Sequence, residues 1–177
     1  MEKYDFENLN GEQWAQLLCE HPEFATECRW EKLGSEDWCW LLSEHPEFAD
    51  KCKWGKIEGY EWSVLLAEQP QFAEYCDWSK LEGWDWSILL AAMPQFSDKC
   101  DWEKLEEDDW DNLLHNQPQF AEYCDWEKLE GWDWSSLLAA MPQFSDKCDW
   151  GKLEAEDWDN LLHDQPQFAE MKHRMGI

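Results

Sequence analysis

The sequence predicts an all-α fold: a right-handed or otherwise curved α-solenoid of seven 24-residue helical repeats rich in Trp, Leu and Cys. Three observations carry that expectation. Cysteine stands at 28, 52, 76, 100, 124 and 148. Proline stands at 22, 46, 70, 94, 118, 142 and 166. Phenylalanine follows each proline by two residues. An unbroken period of this length marks a repeat array in which each unit packs on its neighbours.

The repeats run 4–27, 28–51, 52–75, 76–99, 100–123, 124–147 and 148–171, followed by a tail at 172–177. No Gly/Ser-rich linker interrupts them, so residues 1–177 read as a single solenoid domain. Residues 76–123 match 124–171 at 41 of 48 positions, the trace of a duplicated two-repeat block.

The elements follow from one repeat, 124–147. Asp125 can cap a short helical turn holding Trp126 and Leu129, because its carboxylate accepts from backbone N–H groups just beyond it. Gly131 reads as a turn residue, as do Gly59 and Gly83. A second, longer helix then carries Trp134, Leu137 and Leu138 at i, i+3 and i+4, one face of a 3.6-residue period. Pro142 ends that helix or opens the next at its first turn, where a missing N–H costs nothing. Phe144 and Cys148 line a third short helical piece. Neither helix can bury its face alone, so stacking must create a shared core of Trp, Leu, Phe and Cys. The end repeats fit: Tyr4 and Phe6 replace Cys and Trp at the start, and Lys172, His173 and Arg174 cap the far end of the core.

Composition narrows the function. Apolar residues make up 44% of the 177-residue chain, with 16 tryptophans, which excludes a disordered chain. Forty-one acids against 14 Lys and Arg give a formal charge of −27. Such a surface repels nucleic acid and anionic membrane and attracts basic partners. No leader peptide and no spanning segment is visible. The even spacing of the cysteines suits small apolar packing residues better than disulfides or a metal site, since stacked helices lie about 8–10 Å apart. The reading is a reducing, cytoplasmic compartment, with no cofactor and no metal implied.

Candidate chemistry is sparse. His21 and His45 share a slot with Gln69, Met93, Gln117, Met141 and Gln165, and His115 and His163 stand two repeats apart. No catalytic triad, zinc signature or phosphate loop is present, and no residue is singled out as catalytic. The expectation is a non-enzymatic chain.

The repeats supply their own internal comparison. The tryptophan at 14, 38, 62, 86, 110, 134 and 158 never changes, and neither does the Leu-Leu pair after it. The varying slots of the longer helix share a face by i, i+3 and i+4 spacing. Along that face stand Trp40, Tyr60, Val64, Trp84, Ile88 and Trp132, rimmed by acids. An aromatic centre with a polar rim is the usual composition of a protein interface. These six residues are the expected partner-binding set, and a basic protein or peptide the expected partner. The alternative is a nucleic-acid mimic that occupies a DNA- or RNA-binding protein, which the apolar centre disfavours.

Overall fold

The computed structural model describes residues 5–176; Tyr4, the expected start of the first repeat, lies outside them. Among the described residues there are eight α-helices and no strand: α1 (Gly11–Glu20), α2 (Ser35–Glu44), α3 (Gly59–Glu68), α4 (Gly83–Ala92), α5 (Glu107–Asn116), α6 (Gly131–Ala140), α7 (Ala155–Asp164) and α8 (Ala169–Met175). The fold is an all-α repeat array, one ten-residue helix to each 24-residue brick. The described residues gather into two compact units, one ending at Asp85 and the other beginning at Trp86. The first holds α1, α2 and α3, and the second holds α5, α6, α7 and α8.

Every long helix has an acid or amide as its third residue, and in all but α3 that side chain reaches back to the N-cap backbone N–H. Asp37 accepts from Gly34 N at 2.8 Å, Asp133 from Glu130 N at 2.8 Å and Asp157 from Glu154 N at 2.9 Å. In α1 the bond is reciprocal, between Asn10 and Gln13, the capping box. Proline opens the next element, as at Pro46–Lys51 and Pro142–Asp146. These are 3₁₀ helices.

Two local expectations are corrected. The third helical piece stops before the cysteine, so Cys148 lies beyond Pro142–Asp146 and Phe144 packs instead on Trp126, ring centroids 5.5 Å apart. The opening turn holds the tryptophan but not the leucine. Leu153, for example, is the extended residue after the Trp150–Lys152 turn. The expected cap at Asp125 is present: it accepts from Glu127 N, as Asp149 does from Gly151 N, whereas Asp101 makes no such bond.

The core is an aromatic stack repeated brick by brick. The helical tryptophans 14, 38, 62, 86, 110, 134 and 158 are completely buried. The turn tryptophan lies nearly parallel on the helical one: Trp30 on Trp38 at 5.6 Å, Trp102 on Trp110 at 5.7 Å, Trp150 on Trp158 at 5.4 Å. The phenylalanine after the proline tilts against the same turn ring. Phe6 stacks on Trp14 in the first brick, doing the work of the missing tryptophan. Leucines such as Leu65, Leu66, Leu137 and Leu138 complete the core at zero exposure.

Polar ladders join brick to brick. Within each unit the turn lysines reach back to two carbonyls of the preceding turn, groups that a short helix leaves without partners of its own. In the first unit Lys56 donates to Glu31 O and Leu33 O at 2.8 and 2.5 Å, and Lys80 to Gly55 O and Ile57 O, both at 2.8 Å. Lys32 makes the same pair with Glu7 O and Leu9 O. In the second unit Lys128 donates to Glu103 O and Leu105 O, and Lys152 to Glu127 O and Leu129 O. The first brick has Asn8 at this slot, bonded within its own turn to Asp5.

A second ladder caps helix ends. Gln69 donates to Ser43 O at 2.8 Å, Gln117 to Ala91 O at 2.7 Å and Gln165 to Ala139 O at 2.6 Å. His45 does the same with Cys19 O, while its other ring nitrogen faces Glu47. A carbonyl and a carboxylate both accept, so the doubly protonated ring suits both contacts. The Glu47 bond, with help from Cys19 O, raises the His45 pKa against the opposing effect of burial.

Gly59 and Gly131 are the first residues of helices, not turn residues. A side chain on Gly59 would meet Asp85 and the Lys80 carbonyl, and one on Gly131 would meet Asp157 and the Lys152 carbonyl. The next brick packs directly on them. Where Ser35 takes this slot, the following brick changes in concert. Ser35 Oγ donates to Glu61 at 2.7 Å and accepts from Glu58 N at 2.8 Å, replacing the usual aspartate cap.

The ladder cysteines are less buried than expected. Cys124 is buried, but Cys28, Cys52, Cys76, Cys100 and Cys148 are half-buried. At the far end, α8 closes with Gly176 in the left-handed conformation (φ 79°), the usual helix terminator. Lys172 pairs with Asp159 at 3.1 Å, while His173 and Arg174 are exposed. No helix among the described residues is long and apolar enough to cross a membrane.

Candidate functional site

The varying slots of the long helices form the exposed helix surface, and the large aromatics on them reach solvent. Trp40 is 43% exposed, Tyr60 55%, Trp84 52% and Trp132 64%. The invariant tryptophan two residues after Tyr60, Trp84 and Trp132 is at zero, so neighbouring residues of one helix turn divide between core and surface. Buried serines tie this turn down: Ser63 donates to Tyr60 O at 2.7 Å and Ser135 to Trp132 O at 2.9 Å.

In the first unit the structure brings together Trp40, Tyr60 and Val64. They line a groove of about 490 Å³ between α2 and α3. Trp40 and Tyr60 are exposed and Val64 is half-buried. Glu36 and Glu44 flank Trp40 on α2, and Glu61 and Glu68 stand on α3. The lining contains no Lys, Arg or His. Cys39 underlies it, its thiol donating to Glu61 O at 3.4 Å.

Trp132 belongs to a second groove, of about 540 Å³, between α6 and α7 in the second unit. Ser136, Ala139 and Ala140 on α6 face Asn160, His163 and a single acid, Asp164, on α7. Trp84 stands exposed in the first turn of α4, and Ile88, one turn on, is half-buried. Two exposed aromatics escaped the sequence reading. Tyr75 and Tyr123 lie flat on Trp54 and Trp102, each at 4.5 Å and 3°. Their slot holds Lys51, Tyr75, Lys99, Tyr123 and Lys147 in alternation, a variability that marks surface.

The remaining chemistry is quiet. Burial pushes the thiols of Cys28, Cys39, Cys52, Cys76, Cys100, Cys124 and Cys148 up to about 12. A thiol held there is a poor nucleophile at neutral pH. Among the described residues no three His, Cys, Asp or Glu side chains converge as metal ligands. Asp111 and Asp133 are held above the usual carboxylate range, each by burial first. Asp111 occupies the inward slot that other bricks give to Ala15, Cys39, Ser63 or Ser135. No family model, curated protein or solved structure matches the chain.

Proposed function

We propose that this chain is a non-enzymatic protein-binding scaffold that engages a basic protein or peptide through the varying face of its long helices. The observation that carries the reading is the exposure of Trp40, Tyr60, Trp84 and Trp132 on a chain of net charge −27. Large exposed aromatics are what interface hot spots are made of. The surrounding charge selects the sign of the partner and steers its approach. Cysteines left as free thiols suit a reducing, cytoplasmic setting.

The test is calorimetric titration with Lys/Arg-rich peptides at low and high salt. Binding should weaken by about tenfold or more as salt screens the acidic face. Replacing Trp40, Tyr60, Trp84 and Trp132 together by Ser should abolish it while leaving the helical circular dichroism intact. Peptide binding that ignores all four substitutions ends the reading.

A further inference from the structure

We propose that the groove between α2 and α3 is an arginine-reading site, in which a guanidinium from a partner's polypeptide segment seats against Trp40 and Tyr60 among the surrounding glutamates. The proposal rests on the scaffold reading above and goes beyond it by naming the site and the side chain it takes.

Sequence placement is the first support. Trp40 is the one aromatic in its slot, where the other bricks have Gln16, Val64, Ile88, Asn112, Ser136 and Asn160. Tyr60 follows on the next helix, so two exposed rings open on one groove. A ring face attracts a cation, and a planar guanidinium stacks on it better than a compact, strongly hydrated ammonium does.

The second support is charge. Four carboxylates border the groove and no cation lines it. Ion pairs in this unit engage Glu23, Glu47, Asp50 and Glu58, none of which lines the groove. The turn lysines are committed to carbonyls of the preceding turn. The groove lining itself supplies no counter-charge, which leaves that role to a ligand.

The third support is helix electrostatics. Glu44 and Glu68 are the last residues of α2 and α3, and neither helix has a basic residue in its last turn. Helix C-termini carry partial negative charge and favour cations. Two carboxylates at two such ends oppose the local preference, which is the pattern expected where stability is given up for a site. A bound cation would relieve both ends at once. The volume, about 490 Å³, admits a side chain with flanking backbone, and Val64 offers an apolar wall for the methylene stem.

The experiment uses the full chain and three octapeptides with one Gly/Ser/Leu background, carrying two arginines, two lysines or two citrullines. Calorimetry should show the arginine peptide binding, the lysine peptide several-fold weaker and the citrulline peptide not at all. Trp40→Ala should weaken the arginine peptide by at least about tenfold. Tyr123→Ala, which removes an exposed aromatic outside the binding set, should leave it within about twofold. The double variant Glu44→Gln, Glu68→Gln removes charge without touching the core. It should weaken binding while raising the melting temperature of the free protein, a gain that a structural role for these glutamates would not produce. Equal binding of lysine and arginine peptides overturns the arginine assignment. Binding that survives Trp40→Ala and the glutamine pair but fails in Trp132→Ala overturns the groove and leaves the scaffold reading standing. No binding of either basic peptide overturns both.

Discussion

The groove between α2 and α3 and the groove between α6 and α7 are built on the same brick and differ in nearly everything a ligand would meet. Both lie on helices whose inward faces carry fully buried tryptophans and leucines. Both have an exposed tryptophan at the edge. Yet one is ringed by four glutamates, and the other by Ser, Ala, Asn and His with a single Asp164. The lesson is a division of labour. The inward slots and the ladders make the bricks interchangeable, and a handful of outward slots on two adjacent helices set the chemistry of each groove.

That division can be broken most severely in the core. Trp62→Ala in the core of α3 and Trp134→Ala in the core of α6 should each cost about 3–5 kcal/mol, measured by chemical denaturation. If one is tolerated, the two grooves do not share a common support. Next come the close contacts between bricks. Gly59→Ala and Gly131→Ala force a methyl group toward a carboxylate and a carbonyl of the following brick. Each should cost about 1–3 kcal/mol. Lys56→Met and Lys152→Met keep the stem but strand two carbonyls apiece, and about 1–3 kcal/mol should again be lost. Equal losses at the paired positions sharpen the comparison, and a loss at one only would break it.

The smallest effects are in pH dependence. Asp111 and Asp133 have raised pKa values in the folded state. The native protein therefore holds their protons more tightly than the unfolded chain does. Their favourable contribution is full below the ordinary aspartate range and is lost as pH rises through the folded values. Asp111→Asn should stabilise the protein at neutral pH and flatten the acid side of its stability profile. His45 is also raised, and its sign is the same in a higher window. Its stabilisation is present below the ordinary histidine range and is lost as pH rises through the folded value. His45→Gln, which installs the residue used at 69, 117 and 165, should remove that upper dependence and keep the clamp on Cys19 O. Melting temperatures across pH 4–9 would read both windows, about 3.8 upward and about 6.5 upward.

Much of this was legible in the sequence. The period, the invariant Trp and Leu-Leu core and the proline corners could all be read by aligning the chain on itself. The outward position of Trp40, Tyr60, Trp84 and Trp132 followed from their variability. What escaped was contact between bricks. The lysine at 32, 56, 80, 104, 128 and 152 recurs in six of the seven bricks, but the partners of Lys56, Lys80, Lys128 and Lys152 lie 23 and 25 residues back, where a reading of one brick does not look. The glycines were misread for the same reason, since the atoms that forbid a side chain belong to the next repeat. The groove glutamates were seen as general acidity because their arrangement around Trp40 and Tyr60 needs two helices side by side. Cysteine regularity suggested full burial, yet a position at the end of a short 3₁₀ segment leaves most of them half open.

The lysine ladder gives the array a direction. The latches of Lys32, Lys56, Lys80, Lys128 and Lys152 all point backward, from the brick being added to the brick already in place, and the first brick carries Asn8 in that slot. During synthesis each emerging repeat thus finds its acceptors on chain that has left the ribosome before it. Inheritance gains from the same arrangement. A copied block brings donors for the chain before it and acceptors for the chain after it, so the 48-residue duplication could enter the gene without inventing a single new contact.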